Sequence, residues 1–226
     1  MKKSISLLAP FGIALLVAST LGAVPASAND QGPTNDASEL TQEFSGVVEE
    51  MNLSNGVASQ LLSKFDRLSV AEKANLVSVL EGDNPAAAFE VGAPVVTTTI
   101  RPTTETASNA AKTATAAATT YEVTSNYKND NLLLGVAVGT WNLRYKYQTG
   151  SGKVLKDYEC TNWYSGLSGF WNFSTSSTHR VAGGQGYCTG VFRGSLVYQG
   201  SGFTMNKEMG MIVNGPGFVS RWLKNI

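Results

Sequence analysis

Apolar and polar residues alternate with a period of two through much of the C-terminal half of the chain. The clearest runs are residues 141–148, WNLRYKYQ, and residues 188–198, CTGVFRGSLVY. Because successive side chains of a strand point to opposite faces of a sheet, each run predicts a strand with one buried face and one polar face. In the first run the buried set is Trp141, Leu143, Tyr145 and Tyr147. Together with shorter runs and Gly/Ser turns, the pattern predicts strands near residues 121–127, 132–138, 140–148, 153–160, 187–199, 202–213 and 217–224.

A helical period replaces this alternation between residues 36 and 82. Leu40, Phe44, Val47, Val48 and Met51 fall on one face of a first helix. A second apolar face follows a start near residue 54, and a third helix is predicted from the capping pattern at residues 69–72 to a glycine at residue 82. Three short amphipathic helices of this size bury only a small core.

The segment between these two regions is rich in Thr, Ala and Pro and has few large apolar side chains. Such a composition does not bury enough surface to offset the entropy of ordering, so residues 83–120 are predicted to be a disordered linker. The predicted organisation is a signal peptide (1–28), an acidic three-helix segment (29–82), this linker and a basic, aromatic-rich β domain (121–226). The fold class is mainly β: a C-terminal antiparallel β-sandwich or small barrel with one disulfide, preceded by the small α-helical segment.

The first 28 residues predict export. Lys2 and Lys3 precede a mostly apolar run at 7–17, and Ala26-Ser27-Ala28 matches a signal-peptidase site. Because no later apolar stretch reaches the roughly 20 residues needed to span a bilayer, we expect a secreted, extracellular protein that does not span the membrane. In an oxidising compartment the two cysteines, Cys160 and Cys188, are predicted to form a disulfide.

Charge and aromatic residues divide the chain unevenly, although its formal net charge is zero. Residues 29–120 carry five Lys/Arg against twelve Asp/Glu, whereas residues 121–226 carry ten against five. The net charges are therefore −7 and +5, and all four Trp and all eight Tyr lie at or beyond residue 121. Two oppositely charged halves should attract each other or different partners, and a basic, aromatic domain is suited to a polyanion.

Catalytic motifs are not apparent. His179 is the single histidine, and Asp157 and Ser195 are the acid and nucleophile that a hydrolytic triad would require, but no nucleophile-elbow motif supports them. Asp157 and Glu159, two positions apart on a predicted strand, would share a face as a carboxylate pair, although neighbouring lysines make a solvated hairpin face the better interpretation. We expect no metal site and no cofactor, and His179 is interpreted as a surface-loop residue.

One cluster of residues predicts a binding surface. Exposed aromatic rings flanked by small polar residues form many such surfaces, and basic residues accompany them here. The predicted binding residues are Trp163, Tyr164, Phe170, Trp171, Arg144, Lys146 and Arg180. The alternative is that the rings cover the open end of the β core.

The leading interpretation is a secreted, non-enzymatic protein whose β domain binds a cell-envelope polymer or a protein partner. Nucleic acid is not an expected partner, and the sequence leaves the oligomeric state open. One alternative is a toxin or bacteriocin precursor with an acidic pro-segment, and a second is an extracellular hydrolase.

Overall fold

A computed structural model describes residues 36–82, 84–103, 119–167, 172–198, 201–215 and 217–226, without the side chains of 196–198 and 201–203. The predicted signal peptide, residues 104–118 of the predicted linker, and Phe170 and Trp171 therefore lie outside the described residues. The helices are α1 (Ala37–Glu50), α2 (Asn55–Asp66) and α3 (Val70–Glu81), followed by a short 3-10 helix, Pro85–Ala88. The strands are β1 (Phe89–Val91), β2 (Val95–Pro102), β3 (Thr120–Leu133), β4 (Val136–Gly150), β5 (Lys153–Gly166), β6 (Asn172–Ala182), β7 (Gln185–Tyr198), β8 (Ser201–Asn214) and β9 (Gly217–Asn225).

The strands form two antiparallel sheets, as the predicted fold class requires. In sheet A, β1 and β2 both pair with β3, which is followed by β4 and β5. Sheet B has the order β6-β7-β8-β9. The chain passes from sheet A to sheet B between β5 and β6, and the apolar faces of the two sheets and of the helices contribute to one buried cluster.

The three predicted helices are present, and the predicted apolar face of α1 is buried. Leu40, Phe44, Val47, Val48 and Met51 are all buried, and the ring of Phe44 stacks on that of Phe65 in α2 with centroids 4.1 Å apart. The capping box at the start of α3 is present, since the Ser69 hydroxyl accepts from the N–H of Glu72 and the Glu72 carboxylate accepts from the N–H of Ser69. Helix α2 packs against β4, so the helical segment shares its apolar core with the β domain.

Part of the predicted linker is ordered instead. Residues 85–102 form the 3-10 helix, β1 and β2, and β2 pairs with β3 along its whole length from Val95↔Lys128 to Pro102↔Tyr121. Most β2 side chains are exposed, so the strand is stabilised by backbone hydrogen bonds and by the β-branched Val, Thr and Ile residues that favour extended backbone. The amino-acid composition of residues 83–120 predicted disorder because it reflects only how much side-chain surface can be buried. It does not show that an exposed strand can be stabilised by backbone pairing at the edge of a sheet.

Sheet A contributes its bulky residues to the core as predicted. Trp141, Leu143, Tyr145 and Tyr147 on β4 are fully buried. Sheet B faces them with β8, whose Met205, Met209, Met211 and Val213 are buried as core residues. A methionine-rich face at strand spacing is therefore packing surface in this protein.

Glycines on β7 allow the two sheets to approach closely. Gly186, Gly190 and Gly194 share the inner face of the strand, alternating with the buried Cys188 and Phe192. A Cβ atom would lie 2.7 Å from the Tyr145 ring at Gly186 and 2.6 Å from Asn162 Cβ at Gly190, and both of these neighbours belong to sheet A. At Gly194 a Cβ atom would instead clash with the ring of Phe173, on the paired strand β6 of the same sheet. The predicted disulfide is confirmed at this point of contact, where Cys160 of β5 and Cys188 of β7 have Cα atoms 5.6 Å apart.

Strand β6 is an element that the sequence did not predict. Its residues 174–180, STSSTHR, are exposed, so the strand lacks the alternation of apolar and polar residues that identified the others. It pairs with β7 from Asn172↔Ser195 to Ala182↔Gln185. His179, interpreted as a loop residue, therefore lies within an edge strand.

Candidate functional site

Three of the predicted binding residues lie together on the outer face of sheet A. Arg144 and Lys146 alternate with the core residues of β4, so their side chains point away from sheet B. On the neighbouring strand β5, Trp163 pairs with Asn142, Thr161 with Arg144 and Glu159 with Lys146. The register thus brings an exposed indole, a guanidinium and an ammonium onto adjacent positions of one rigid surface.

Glu159 connects the two cations. Its Oε1 lies 3.1 Å from Arg144 Nη2, and its Oε2 lies 3.3 Å from Lys146 Nζ. Hydrogen bonding from Lys146, aided by the charge and hydrogen bond of Arg144, holds the pKa of the Glu159 carboxyl below its ordinary value of 4.5. All three side chains are more than one third exposed, so these ion pairs add little stability and mainly position the cations.

The indole of Trp163 is available to solvent and to ligands. It is 39% exposed and lies on the outer face of β5, on the same side of sheet A as Arg144 and Lys146. The guanidinium of Arg144 lies 5.9 Å from the ring centroid, within the range of a cation–π contact. The Trp163 ring therefore contacts the Arg144 guanidinium, which is in turn paired with the Glu159 carboxylate.

The surface continues from Lys146 toward the edge of sheet A. A cleft of about 280 Å³ is lined there by Thr99, Arg101, Glu122, Thr124 and Lys146. Strands lie about 4.8 Å apart, so the row from β2 to β5 spans roughly 14 Å. Arg101 was not among the predicted binding residues because the sequence did not identify β2. We call the set Arg101, Lys146, Arg144 and Trp163 the basic aromatic face.

Tyr164 lies on the opposite side of the same strand. Its ring packs against Trp141 at 4.6 Å and against Phe173 at 4.4 Å, and its hydroxyl accepts a hydrogen bond from Asn131 Nδ2 at 3.2 Å. Burial raises the pKa of this phenol. Consecutive strand residues face opposite ways, so Trp163 and Tyr164 do not belong to one surface, and Tyr164 covers the core as the alternative interpretation proposed for these rings.

Arg180 lies on the outer face of sheet B. Its guanidinium stacks on the ring of Tyr187 at 4.4 Å. Both residues line a cleft of about 350 Å³ with Thr189, Ile212 and Trp222 among its other walls. The indole N–H of Trp222 donates to Glu208 at 2.8 Å. Arg180 therefore belongs to a second aromatic surface, separate from the basic aromatic face.

Of the three residues considered for a hydrolytic triad, only His179 and Asp157 lie close together. His179 Nδ1 lies 2.7 Å from Asp157 Oδ2, which joins the edge strand β6 to β5. Ser195 pairs with Asn172, seven residues along the strand from His179, or roughly 23 Å at 3.3 Å per residue. The histidine–aspartate pair thus connects the two sheets and has no contact with the nominated nucleophile.

Asp157 and Glu159 also do not form the shared carboxylate surface that their spacing predicted. The register of β4 and β5 shifts between Lys146 and Tyr147, so Glu159 pairs with Lys146 while Asp157 pairs with the inward-facing Tyr147. A β-bulge adds one residue to a strand and turns the following side chains to the other face. The two carboxylates consequently have different partners, on different faces of sheet A.

Within the part of the chain that the structure describes, no three His, Cys, Asp or Glu side chains are placed to hold a metal ion. No helix among these residues is both long enough and apolar enough to cross a membrane. Neither a protein-family model, nor a curated protein, nor a solved structure matches the chain.

Proposed function

We propose that the protein is exported and binds an anionic polymer of the cell envelope, without catalysing a reaction, through the basic aromatic face of sheet A. One observation carries the proposal. Trp163 is exposed beside Arg144 and Lys146, and all three project from β4 and its neighbour β5, whose opposite faces pack on the core. This arrangement presents an apolar ring and two cations in fixed positions.

Export is supported by the chain itself. The first 28 residues have the charged, apolar and small-residue regions of a signal peptide. The Cys160–Cys188 disulfide fits an oxidising compartment. An exported binding protein would meet envelope polymers directly after secretion.

The chemistry of the face favours a polymer with repeated anionic groups. Arg144 and Lys146 are already paired with Glu159, so a single anion would gain little from them. A chain of phosphates or carboxylates offers several weak contacts at once, and such contacts add through effective concentration. The Trp163 ring supplies apolar area for the glycerol or sugar units between the charges, at low entropic cost.

The test is binding of the secreted chain to poly(glycerol phosphate), with neutral dextran as the polymer control. Arg144→Gln with Lys146→Gln is expected to weaken binding by about tenfold, which corresponds to roughly 0.7 kcal/mol for each exposed cation. The matched control is Arg180→Gln with Arg193→Gln, which removes the same charge from sheet B. Equal losses in both pairs would show that net charge alone drives binding and would overturn the assignment of the face.

Trp163→Ala separates the aromatic contribution from the charge. We expect weaker binding with an unchanged dependence on salt concentration, because the indole carries no charge. Unfolding by urea checks that the variant retains its fold. Unchanged affinity in a folded Trp163→Ala variant would exclude the ring from the binding surface.

Substitution of Glu159 tests the same face by a change that is expected to strengthen binding. Glu159→Gln releases both cations, so affinity for poly(glycerol phosphate) is expected to rise by about three- to tenfold. Acid should act similarly, since the depressed pKa means that Glu159 keeps its charge until the pH falls below 4.5, where phosphodiesters remain ionised. The small stabilisation from its ion pairs disappears over the same range. Binding by the wild-type chain should therefore strengthen at the acid end, and the Glu159→Gln variant should lack that rise.

A further inference from the structure

Lys207 on β8 has a charged side chain on the inner face of sheet B. Its neighbours on that face, Met205 and Met209, are buried, and its register partner Phe192 is fully buried. Strand alternation therefore directs Lys207 toward the space between the sheets and away from the solvated outer face. Burial lowers the pKa of its ammonium, which indicates that the positive charge has lost hydration.

Lys207 lines a cavity of about 300 Å³. The walls combine side-chain amides, from Asn84, Asn131 and Asn225, with apolar groups that include Phe89, Val91 and Met205. Asn131 is 3% exposed, whereas Asn84 and Asn225 are exposed. The cavity thus has a buried polar end, an apolar wall and an opening flanked by two amides.

No carboxylate among the described residues lines this cavity. Three acidic residues of the described strands, Glu90, Asp130 and Glu208, each lie one position from a cavity residue, so each points to the other face of its strand. Asp130 accepts a hydrogen bond there from the Thr140 hydroxyl. Glu208 is engaged there by Trp222 and Lys224. A partly desolvated cation without a counter-charge is unfavourable until an anion pairs with it.

We infer that this cavity binds a small organic monocarboxylate. A single cation balances one negative charge, whereas a phosphate dianion would leave a charge unpaired beside apolar walls. Amide groups at the opening can donate to carboxylate oxygens, and Phe89, Val91 and Met205 can contact an aliphatic tail. The volume equals that of about ten water molecules in the liquid, which limits the ligand to about ten non-hydrogen atoms.

The inference is independent of the basic aromatic face, because Lys207 is on the other sheet and faces inward. Its test uses hexanoate, the neutral analogue hexanamide and inorganic phosphate, each added to the secreted chain at constant ionic strength. Calorimetric titration and thermal unfolding provide the readouts. The variants are Lys207→Gln and, as a matched control on the outer face of the neighbouring strand, Lys224→Gln.

Hexanoate is expected to bind the wild-type and Lys224→Gln chains and to raise their melting temperatures by several degrees. Lys207→Gln should bind it at least about tenfold more weakly, and hexanamide and phosphate should bind weakly to all three chains. Equal binding of hexanoate by Lys207→Gln, or of hexanamide and hexanoate by the wild type, would overturn the inference. Stronger binding of phosphate would also overturn it.

A measurement on the wild-type chain covers the case in which Lys207→Gln does not fold. The pKa of the Lys207 ammonium, followed by nuclear magnetic resonance, should rise when hexanoate is added, because a bound carboxylate favours the charged form. Hexanamide should leave it unchanged. A pKa that does not respond to hexanoate would show that the ligand does not pair with this lysine.

Discussion

The close approach of the sheets makes Gly190 intolerant of even one additional methyl group. In Gly190→Ala the new Cβ would lie 2.6 Å from Asn162 Cβ and 2.7 Å from its Cγ. Asn162 is held in place because its Nδ2 donates to the carbonyl of Val191 at 3.0 Å. Rotating Asn162 away would sacrifice that hydrogen bond, at a cost of about 1 kcal/mol, and separating the sheets would add an overpacking cost of about 1–3 kcal/mol. Gly190→Ala should therefore reduce the free energy of unfolding by about 2–4 kcal/mol.

The assay is equilibrium unfolding in urea with the disulfide intact, and Gly46→Ala is the matched control. Gly46 lies within α1, and a Cβ placed there meets nothing within 4 Å. Alanine in this exposed helical position should raise stability by about 0.5–1 kcal/mol, because the unfolded chain loses conformational freedom. If Gly190→Ala unfolded within 0.5 kcal/mol of the wild type, the contact between β5 and β7 would be looser than these distances indicate.

Three further outcomes are expected. Replacing Cys160 and Cys188 by alanine should lower the free energy of unfolding by about 3–4 kcal/mol for a separation of 28 residues, and two free thiols in the denatured, unreduced wild type would contradict the disulfide. His179→Ala should cost only about 0.5–1 kcal/mol, since its ion pair with Asp157 is partly exposed, and loss of polymer binding in the folded variant would reveal a functional role. Cutting at a specific protease site inserted between residues 104 and 118 should leave two fragments that co-elute in gel filtration, because β2 pairs with β3; fragments that separate would favour a pro-segment released by proteolysis.

Periodicity predicted those elements whose side chains divide cleanly between core and solvent. The α1 face from Leu40 to Met51 and the β4 face from Trp141 to Tyr147 were both correct, because burial of large apolar residues at a fixed period determines their orientation. Strands β2 and β6 were not predicted because their side chains do not divide between core and solvent in this way. Both are edge strands with mostly exposed Thr, Ser or Val side chains, and their stability comes from backbone pairing that a hydrophobic pattern does not record.

The candidate site could be predicted from the sequence where it depends on the alternation of side chains between the two faces of a strand. The outward orientation of Arg144 and Lys146 follows from the alternation that buries Tyr145. Trp163 and Tyr164 lay beyond the predicted strand 153–160, so alternation was not applied to them, whereas β5 extends to Gly166 and places them on opposite faces. Arg180 could not be separated from them by sequence, because the division of strands between two sheets depends on long-range pairing. The β-bulge that separates Asp157 from Glu159 is likewise a property of register, not of local pattern.

The close packing that the β7 glycines allow also constrains the strand that carries Trp163 and Glu159 of the outer surface. The inner side of β5 is fixed to sheet B at two adjacent inward positions, by the Cys160–Cys188 disulfide and by the hydrogen bond from Asn162 to Val191. The outer positions between and beside them are those of Glu159, Thr161 and Trp163, so the carboxylate that positions Arg144 and Lys146 lies on the segment of β5 that is joined to sheet B. A ligand then loses little affinity to ordering of the surface. Small residues facing the core thereby allow a rigid array of large and charged residues on the opposite face.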